Sequence, residues 1–213
     1  LPRFPVVAEA CQRNGIDPVH ETIPVACAAH YHMGGIATDK TGRASLAGLW
    51  VCGEAASTGL HGANRLASNG LLEALVYARL AARDIAAGVA APDAPEAVLT
   101  FPEGGEDTFS RDSMTELRRL MTDHVGVLRD EAGLSTALAG IARLEMRERQ
   151  SETFANMTAT ATLIAAAAYA RRESRGGHFR TDFPDADPAQ AARSRLTLTE
   201  ALAIRARSEE TTA

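Results

Sequence analysis

The stretch from Thr58 to Glu73 reads TGLHGANRLASNGLLE and joins a loop of small residues to a Leu-rich run. Two side chains that can hold an anion, His61 and Arg65, lie four residues apart in this loop. The planar guanidinium of an arginine matches a carboxylate with two parallel hydrogen bonds, which a lysine cannot do. A structural ion pair is the usual role of an isolated arginine, but the small neighbouring residues favour a ligand site here.

A helix is predicted from Gly70 to Ala87, directly after this loop. Its apolar residues fall on or near one stripe, and Gly88 supplies a stop. The first amide groups, including those of Gly70 and Leu71, are not used inside the helix and lie at the positive end of its dipole. Such a helix start favours an anion or an electron-rich ring.

Composition excludes several classes of function. The chain has 213 residues with a net charge of −5, which argues against a nucleic-acid or acidic-membrane binder because phosphate binding needs a surplus of cations. No run reaches the roughly 18 apolar residues of a membrane span. Three widely spaced cysteines favour a reducing cytoplasm over a disulfide framework.

The N-terminal part predicts an α/β arrangement. Residues 4–14 read as a short helix, and residues 23–53 read as mainly β. The short apolar runs Ile23–Cys27 and Leu49–Cys52 are the predicted strands, and Asp39–Gly42 is a predicted hairpin loop. A few strands followed by one helix are therefore expected over residues 1–99.

The C-terminal part, residues 100–213, predicts an all-α domain. A Pro- and Gly-rich linker at residues 88–111 places the boundary near residue 100. Ser113-x-x-Glu116 reads as a capping box that opens the first of three amphipathic helices. Three antiparallel helices would bury their apolar faces as a bundle. The tail, residues 171–213, fits either a strand and a helix or helix throughout.

A metal site has to be considered at AHYHMGG, residues 29–35. His30 and His32 would share one face of a strand, with Cys27 close by. The remaining histidines complete no recognised ligand pattern, so no metal is predicted. The alternatives are that His30 donates a hydrogen bond to a substrate while Gly34 and Gly35 allow a close approach, or that it is a core histidine.

In LWVCGEA, residues 49–55, a short apolar run ends in Gly53 and Glu54. A carboxylate just past a buried strand commonly accepts hydrogen bonds from the sugar or polyol hydroxyls of a nucleotide cofactor. The sequence contains no G-x-G-x-x-G and no P-loop, however, so the usual pyrophosphate cradle is missing.

The segment Arg171–Arg180, RRESRGGHFR, is strongly basic. A nucleic-acid site is disfavoured because aromatic residues are sparse and the whole chain is acidic. We expect this segment to dock the helical domain onto a partner domain.

Three stretches in this order resemble the flavoprotein family of succinate dehydrogenase, fumarate reductase and L-aspartate oxidase. They are AAHYHMGGI at 28–36, GLWVCGEAASTGLHGANRLASNGLLEALVYAR at 48–79 and RRESRGGHFRTDFP at 171–184. The H-G-A-N-R-L motif is highly specific. Within the family, TGLHGANRLAS and a chain that stops soon after HFRTDFP are typical of the L-aspartate oxidase branch.

The resemblance implies an FAD enzyme that oxidises L-aspartate to iminoaspartate on the bacterial route to NAD, with oxygen or fumarate as the electron acceptor. His30 and Arg65 match the positions that hold a substrate carboxylate. Glu54 matches the acid that binds the ribityl or ribose side of FAD. Gly70 and Leu71 match the helix start that meets the flavin ring, although the family usually has serine in place of Gly70.

The resemblance also implies what these residues lack. The family's Gly-rich FAD fingerprint and its capping domain, which carries a proton-shuttling arginine, find no match in the sequence, which begins at Leu1 rather than Met. We expect a C-terminal portion without a catalytic residue, inactive alone and with weak or no FAD affinity. The alternatives are a fumarate reductase or succinate dehydrogenase flavoprotein and a non-catalytic helical interaction module.

Overall fold

The computed structural model describes residues 3–25, 30–31, 34–88, 98 and 107–212, with the side chains of 209–212 excepted. It divides into two compact units, Leu1–His32 and Met33–Ala213. The predicted domain boundary near residue 100 falls outside the described residues and stays a prediction. Among the described helices, none is long and apolar enough to cross a membrane.

The first unit contains helix α1, Pro5–Arg13. Proline is favourable in the first turn because its missing amide would have no intrahelical partner there. Gly15 follows the helix with φ +70°, a conformation that glycine adopts without a side-chain clash. The predicted helix over residues 4–14 is therefore confirmed. Ile23–Val25, the described part of the first predicted strand, has no regular structure.

The second unit opens with a small parallel sheet. Strand β1, Ile36–Ala37, pairs with strand β2, Ala56–Ser57. Between them, the chain makes a hydrogen-bonded turn over Asp39–Gly42, as predicted. Trp50 pairs with Arg43 in a single antiparallel bridge.

The prediction that residues 23–53 are mainly β is wrong. A strand exists only where a neighbouring strand accepts and donates its backbone hydrogen bonds. Within the described residues of this range, a neighbour is found at Ile36–Ala37 and at the Trp50 bridge. The apolar run Leu49–Cys52 is otherwise packed without a strand partner.

Helix α2, Asn69–Gly88, confirms the predicted helix and begins one residue earlier. Its buried residues are Gly70, Glu73 and Ala81. Several members of the predicted apolar stripe are exposed instead: Leu72, Leu75, Val76 and Ile85. The face of α2 that packs in this unit is therefore the one that carries a carboxylate.

The helical part consists of α3 (Arg111–His124), α4 (Glu131–Arg147), α5 (Glu152–Ala170) and α6 (Leu198–Thr212). Helix α4 contacts each of the other three, and α5 contacts α4 and α6. The predicted three-helix bundle is therefore incomplete, because α6 adds a fourth packed helix. The tail, for which the sequence left two possibilities, contains a bridge between Arg175 and His178 and a short 3-10 helix, Pro188–Gln190, before α6 begins.

The core of the helical part is formed by apolar residues of these helices. Leu138, Ile141 and Phe154 are fully buried, and Ala201 brings α6 onto the same core. Gly140 permits the α3–α4 contact, because a Cβ there would lie 2.6 Å from Leu120 Cδ1. Small residues on facing helices allow this close packing.

The predicted capping box at Ser113 is wrong. The N-cap is Ser110, whose hydroxyl accepts from the amide of Asp112 at 3.1 Å. Ser113 lies inside α3, fully buried, and donates to the Glu148 carboxylate at the end of α4. Asp130 and Ser151 cap α4 and α5 in the same manner as Ser110. Several hydroxyls near a helix start satisfy the sequence pattern, and packing selects among them.

Leu138→Ala should lower the free energy of unfolding of the helical part by about 2–5 kcal/mol, because it leaves a cavity at a fully buried site of α4. Met146→Ala is the matched control on the same helix, where the side chain is 77% exposed and the expected change is within about 0.5 kcal/mol. Urea unfolding followed by helical circular dichroism measures both. Equal effects would contradict the assigned core.

Candidate functional site

The loop between β2 and α2 is held by a buried carboxylate. The Glu73 side chain, on the second turn of α2, is 2% exposed. The Thr58 hydroxyl donates to Glu73 Oε1, and His61 Nε2 lies 2.7 Å from Glu73 Oε2. The Thr58 hydroxyl also accepts from the amide of Leu60 at 3.1 Å. Glu73 therefore fixes both ends of the TGLH segment against α2.

His61 is consequently engaged by the protein itself. Its side chain is 7% exposed and directed at Glu73, where it supports the loop rather than gripping an anion. Arg65, the other anion-binding candidate, is half-buried, and its Nη1 donates to the carbonyl oxygen of Leu66 at 3.2 Å. Of the two, Arg65 remains the candidate for a carboxylate ligand.

The start of α2 lies four residues after Arg65. Ser68, with φ +66°, adopts a left-handed conformation that is uncommon for a residue with a side chain, and the helix begins immediately afterwards. Gly70 is buried in the first turn, whereas the Leu71 side chain is 75% exposed. Backbone amide donors and an apolar surface therefore occur side by side at this helix start.

Glu54 lies in a short 3-10 turn, Gly53–Ala55, between the sheet and α2. Its carboxylate is exposed. Gly35 packs directly on this turn, because a Cβ at residue 35 would lie 2.3 Å from Ala55 O, and its φ of +132° also requires glycine. The close backbone approach expected at Gly34 and Gly35 is therefore observed at Gly35.

A second network fastens α2 to the preceding turn. Trp50 Nε1 donates to Asp84 Oδ2 at 2.8 Å, and Arg43 donates to the same oxygen. The Arg43 guanidinium also lies over the Trp50 ring, 5.2 Å from its centroid. The hydrogen bonds from Arg43 and Trp50 lower the pKa of Asp84 below its usual range. The turn that carries Glu54 thus rests on an anchored helix.

His30 belongs to the first unit, where its side chain is exposed. Two of the residues weighed as metal ligands, Cys27 and His32, lie outside the described residues. Within residues 3–25, 30–31, 34–88, 98 and 107–212, no group of three or more His, Cys, Asp or Glu is placed to hold a metal ion.

Arginines of the basic segment Arg171–Arg180 form ion pairs with nearby carboxylates of the same chain. Glu173, fully buried, accepts from both Arg171 and Arg175, and these hydrogen bonds, led by Arg175, lower its pKa to about 2. Arg180, also fully buried, forms a two-pronged pair with Asp182 and donates to the carbonyl oxygen of Ala168 at 3.1 Å.

The same segment reaches the loop that carries Arg65. The amide of Gly177 donates to the carbonyl oxygen of Ala63 at 2.9 Å. Arg193, farther along the chain, places Nη1 3.4 Å from the carbonyl oxygen of Ser57. Within the second unit, the segment therefore contacts the loop of Arg65 at Ala63, and its docking onto a partner domain stays a prediction.

Four of these residues escaped the sequence reasoning: Thr58, Glu73, Gly176 and Arg193. An acid one turn into a helix, after a loop with a hydroxyl and an imidazole, is the signal that could have indicated Glu73. Nothing in the sequence links Arg193 or Gly176 to a loop more than 100 residues earlier.

Comparisons with known proteins identify the class of protein. Residues 3–71 match the family model described as an FAD binding domain, and residues 150–211 match that described as fumarate reductase flavoprotein C-term. These two matches place the chain in the class of FAD-binding flavoproteins.

Similar proteins narrow the class. The chain is 51% identical to an L-aspartate oxidase of Rhodospirillum rubrum over 195 residues, covering 90% of this chain and 69% of that one. It is 46% identical to an L-aspartate oxidase of Agrobacterium fabrum over 202 residues, covering 95% of this chain but 38% of the relative. The chain belongs to the flavoprotein family of L-aspartate oxidase, succinate dehydrogenase and fumarate reductase.

Solved structures support the same family. A quinol-fumarate reductase with menaquinol molecules matches with a TM-score of 0.73 at 30% identity, over 89% of this chain and 38% of that one. The Mycobacterium smegmatis Sdh1 complex in the apo form matches with a TM-score of 0.70 at 29% identity, over 89% of this chain and 37% of that one. The predicted cofactor, FAD, is confirmed for this family by the matched FAD binding domain.

His178 predicts a pH dependence of stability. Its Nδ1 lies 2.7 Å from Arg129 Nη1 and its Nε2 lies 3.1 Å from the carbonyl oxygen of Arg171, so the neutral ring accepts on one side and donates on the other. Burial, together with the charges of Arg129, Arg180 and Arg171, lowers the pKa of His178 below 6.5. The unfolded chain therefore takes up this proton first as the pH falls.

The free energy of unfolding should consequently fall as the pH drops through about 6.5 toward the lower pKa of folded His178. His178→Gln keeps an acceptor and a donor but does not titrate, so its stability should fall less between pH 7.5 and 5. Denaturant unfolding of both proteins at several pH values measures the difference. Parallel pH profiles would show that His178 does not carry this dependence.

Proposed function

We propose that these residues are part of an FAD-dependent L-aspartate oxidase that converts L-aspartate to iminoaspartate in the synthesis of NAD. The observation that carries the proposal is the segment from Thr58 to Glu73, which presents a guanidinium four residues ahead of a helix start. The L-aspartate oxidases of Rhodospirillum rubrum and Agrobacterium fabrum, at 51% and 46% identity, support this reading.

In this proposal, Arg65 and His30 bind a carboxylate of the substrate. Arg65 offers a planar pair of donors that matches a carboxylate, and His30 supplies an N–H donor from its exposed ring. Holding the carboxylate fixes the position of the substrate α-carbon, from which a hydride must leave. These two residues therefore bind and orient, and a proton-shuttling arginine is expected elsewhere in the enzyme.

The residues present fit an FAD group. The exposed carboxylate of Glu54 is suited to accept from ribose or ribityl hydroxyls, and the amides of Gly70 and Leu71 from a helix N-terminus are suited to the flavin ring. FAD bound here would supply the hydride acceptor for the substrate carbon. The positive end of α2 would then stabilise negative charge at the position of the flavin ring. Oxygen or fumarate is the proposed terminal acceptor.

A fumarate reductase or succinate dehydrogenase flavoprotein is the second candidate. The match to quinol-fumarate reductase, with a TM-score of 0.73, favours it specifically. Both candidates hold a dicarboxylate, so the substrate decides between them. Turnover of L-aspartate but not of succinate by the FAD-loaded enzyme that contains these residues supports the oxidase, and the reverse result supports the second candidate.

Arg65→Ala should lower kcat/KM for L-aspartate in that enzyme. Truncating one partner of a desolvated charge pair costs about 2–5 kcal/mol, which corresponds to a loss of about thirtyfold or more. The kcat/KM of Arg65→Lys should lie between those of the parent enzyme and Arg65→Ala, since lysine keeps the charge and loses the planar pair of donors. Arg119→Ala, at a side chain 83% exposed on α3, is the matched control and should leave turnover unchanged. Unaltered kinetics in Arg65→Ala would remove Arg65 from the site.

The 213-residue chain expressed by itself should purify without the yellow colour of bound flavin. Cofactor affinity is spread over many contacts, and the sequence has no G-x-G-x-x-G to hold the pyrophosphate. A visible absorption spectrum and the FAD released on denaturation measure the occupancy. Stoichiometric FAD in this chain would show that the described residues suffice to bind it.

A further inference from the structure

The segment Arg171–Arg180 takes no part in the proposed chemistry, yet it touches the loop that does. Its contact is a hydrogen bond of 2.9 Å from the amide of Gly177 to the carbonyl oxygen of Ala63. Ala63 lies two residues before Arg65. A shift of Ala63 is therefore transmitted directly to the backbone that carries the guanidinium.

At Gly176, the backbone lies so close to Ala63 that no side chain fits. A Cβ added to Gly176 would lie 2.2 Å from Ala63 O and 2.8 Å from Ala63 Cβ, and φ at Gly176 is +60°. At the neighbouring Gly177, a Cβ would lie 3.7 Å from Ala63 O, which is an ordinary contact. Two adjacent glycines thus differ sharply in how tightly they press on the loop.

The glycine pair is the tip of a rigid hairpin. Arg175 and His178 exchange backbone hydrogen bonds of 2.8 and 3.1 Å across it. On one side Arg175 is held by the buried carboxylate of Glu173 at 2.9 Å, and on the other His178 is held by Arg129 at 2.7 Å. Because both arms are anchored, the tip cannot retreat from the loop without breaking buried polar contacts.

A second contact holds the other end of the loop. Arg193 Nη1 lies 3.4 Å from Ser57 O, and its guanidinium covers Gly59, where a Cβ would lie 2.7 Å from Arg193 Cζ. The helical part therefore grips the loop at Ser57–Gly59 and again at Ala63.

We propose that Gly176, at the tip of this hairpin, and the Arg193 side chain position Arg65 for its substrate carboxylate. They are positioning residues, acting through Ala63 and through Ser57–Gly59. The proposal rests on the proposed function, in which Arg65 binds the substrate. It gives the arginine-rich segment a role in substrate affinity, transmitted from the helical part to the loop.

The test compares Gly176→Ala with Gly177→Ala and Gly48→Ala in the FAD-loaded enzyme that contains these residues. Gly48 has φ +81° with open space around it, so Gly48→Ala reproduces the backbone strain of Gly176→Ala without the clash. Misplacing a binding group by about 1 Å can cost about 100-fold. Gly176→Ala should therefore lower kcat/KM for L-aspartate by about 10- to 100-fold, with both controls within about twofold.

The readout that separates positioning from simple destabilisation is the affinity of the intact holoenzyme. Perturbation of the flavin spectrum by succinate, a dicarboxylate without an amino group, should show a Kd raised about tenfold or more in Gly176→Ala at unchanged FAD content. An unchanged Kd and KM in folded, FAD-loaded Gly176→Ala would overturn the proposal.

Arg193→Ala covers the case in which Gly176→Ala does not fold, since this exposed side chain is not part of the core. It should raise KM and the succinate Kd by about threefold or more, and unchanged values would overturn the proposal. Arg65→Ala in the same assays tests the proposed function separately. If Arg65→Ala loses activity while Gly176→Ala behaves like Gly177→Ala, the positioning role fails and the proposed function stands.

Discussion

The buried carboxylate of Glu73 is the constraint on which the geometry of the candidate site depends. A carboxylate out of water is tolerated only where donors surround it, and here the donors are the Thr58 hydroxyl and the His61 ring. Both donors belong to the loop, whereas Glu73 belongs to α2. Satisfying one buried charge therefore fixes the loop against the helix. Arg65, between His61 and the first turn of α2, inherits its position from that arrangement.

In the arginine-rich segment, buried and half-buried cations likewise need partners, which here are carboxylates. Its charges are placed so that Arg171 and Arg175 share Glu173, and Arg180 takes Asp182. A carboxylate whose pKa is about 2 stays ionised throughout the physiological range, so Glu173 remains a partner for Arg171 and Arg175 over that range. The segment is basic in composition but directs little of that charge outward. This internal pairing is consistent with the proposal that the segment holds the neighbouring loop.

Helices were the most predictable part of the fold because an apolar stripe repeating every three or four residues is a local signal. α2 begins one residue before the predicted range, Gly70 to Ala87, and ends one residue after it. Strands were less predictable, because a strand depends on a partner that its own sequence does not specify. The apolar run LWVC forms a single bridge, at Trp50. Ser113 failed as a cap for a related reason: its hydroxyl was needed by Glu148, a residue 35 positions away.

In the candidate site, too, the features with a local sequence signal were predicted and the long-range contacts were not. Gly70 and Leu71 lie at the helix start where the pattern placed them. The H-G-A-N-R-L motif also indicated a ligand loop, but not that His61 turns inward to Glu73. The pairings of Ala63 with Gly177 and of Ser57 with Arg193 join residues more than 100 positions apart. Such contacts follow from the packing of the helical part and have no local signature.

In the proposed function, the planar guanidinium of Arg65 binds a carboxylate of the substrate. L-aspartate and succinate each carry two carboxylates, so Arg65 cannot by itself distinguish an amino acid from a plain dicarboxylate. Selection for L-aspartate requires a further group that senses the amino nitrogen, by accepting a hydrogen bond or by opposing its charge. One loop can thus occur both in sequences related to L-aspartate oxidase and in structures related to fumarate reductase. In this proposal, the loop fixes the carboxylate, and the remainder of each site sets which bond of the substrate is oxidised or reduced.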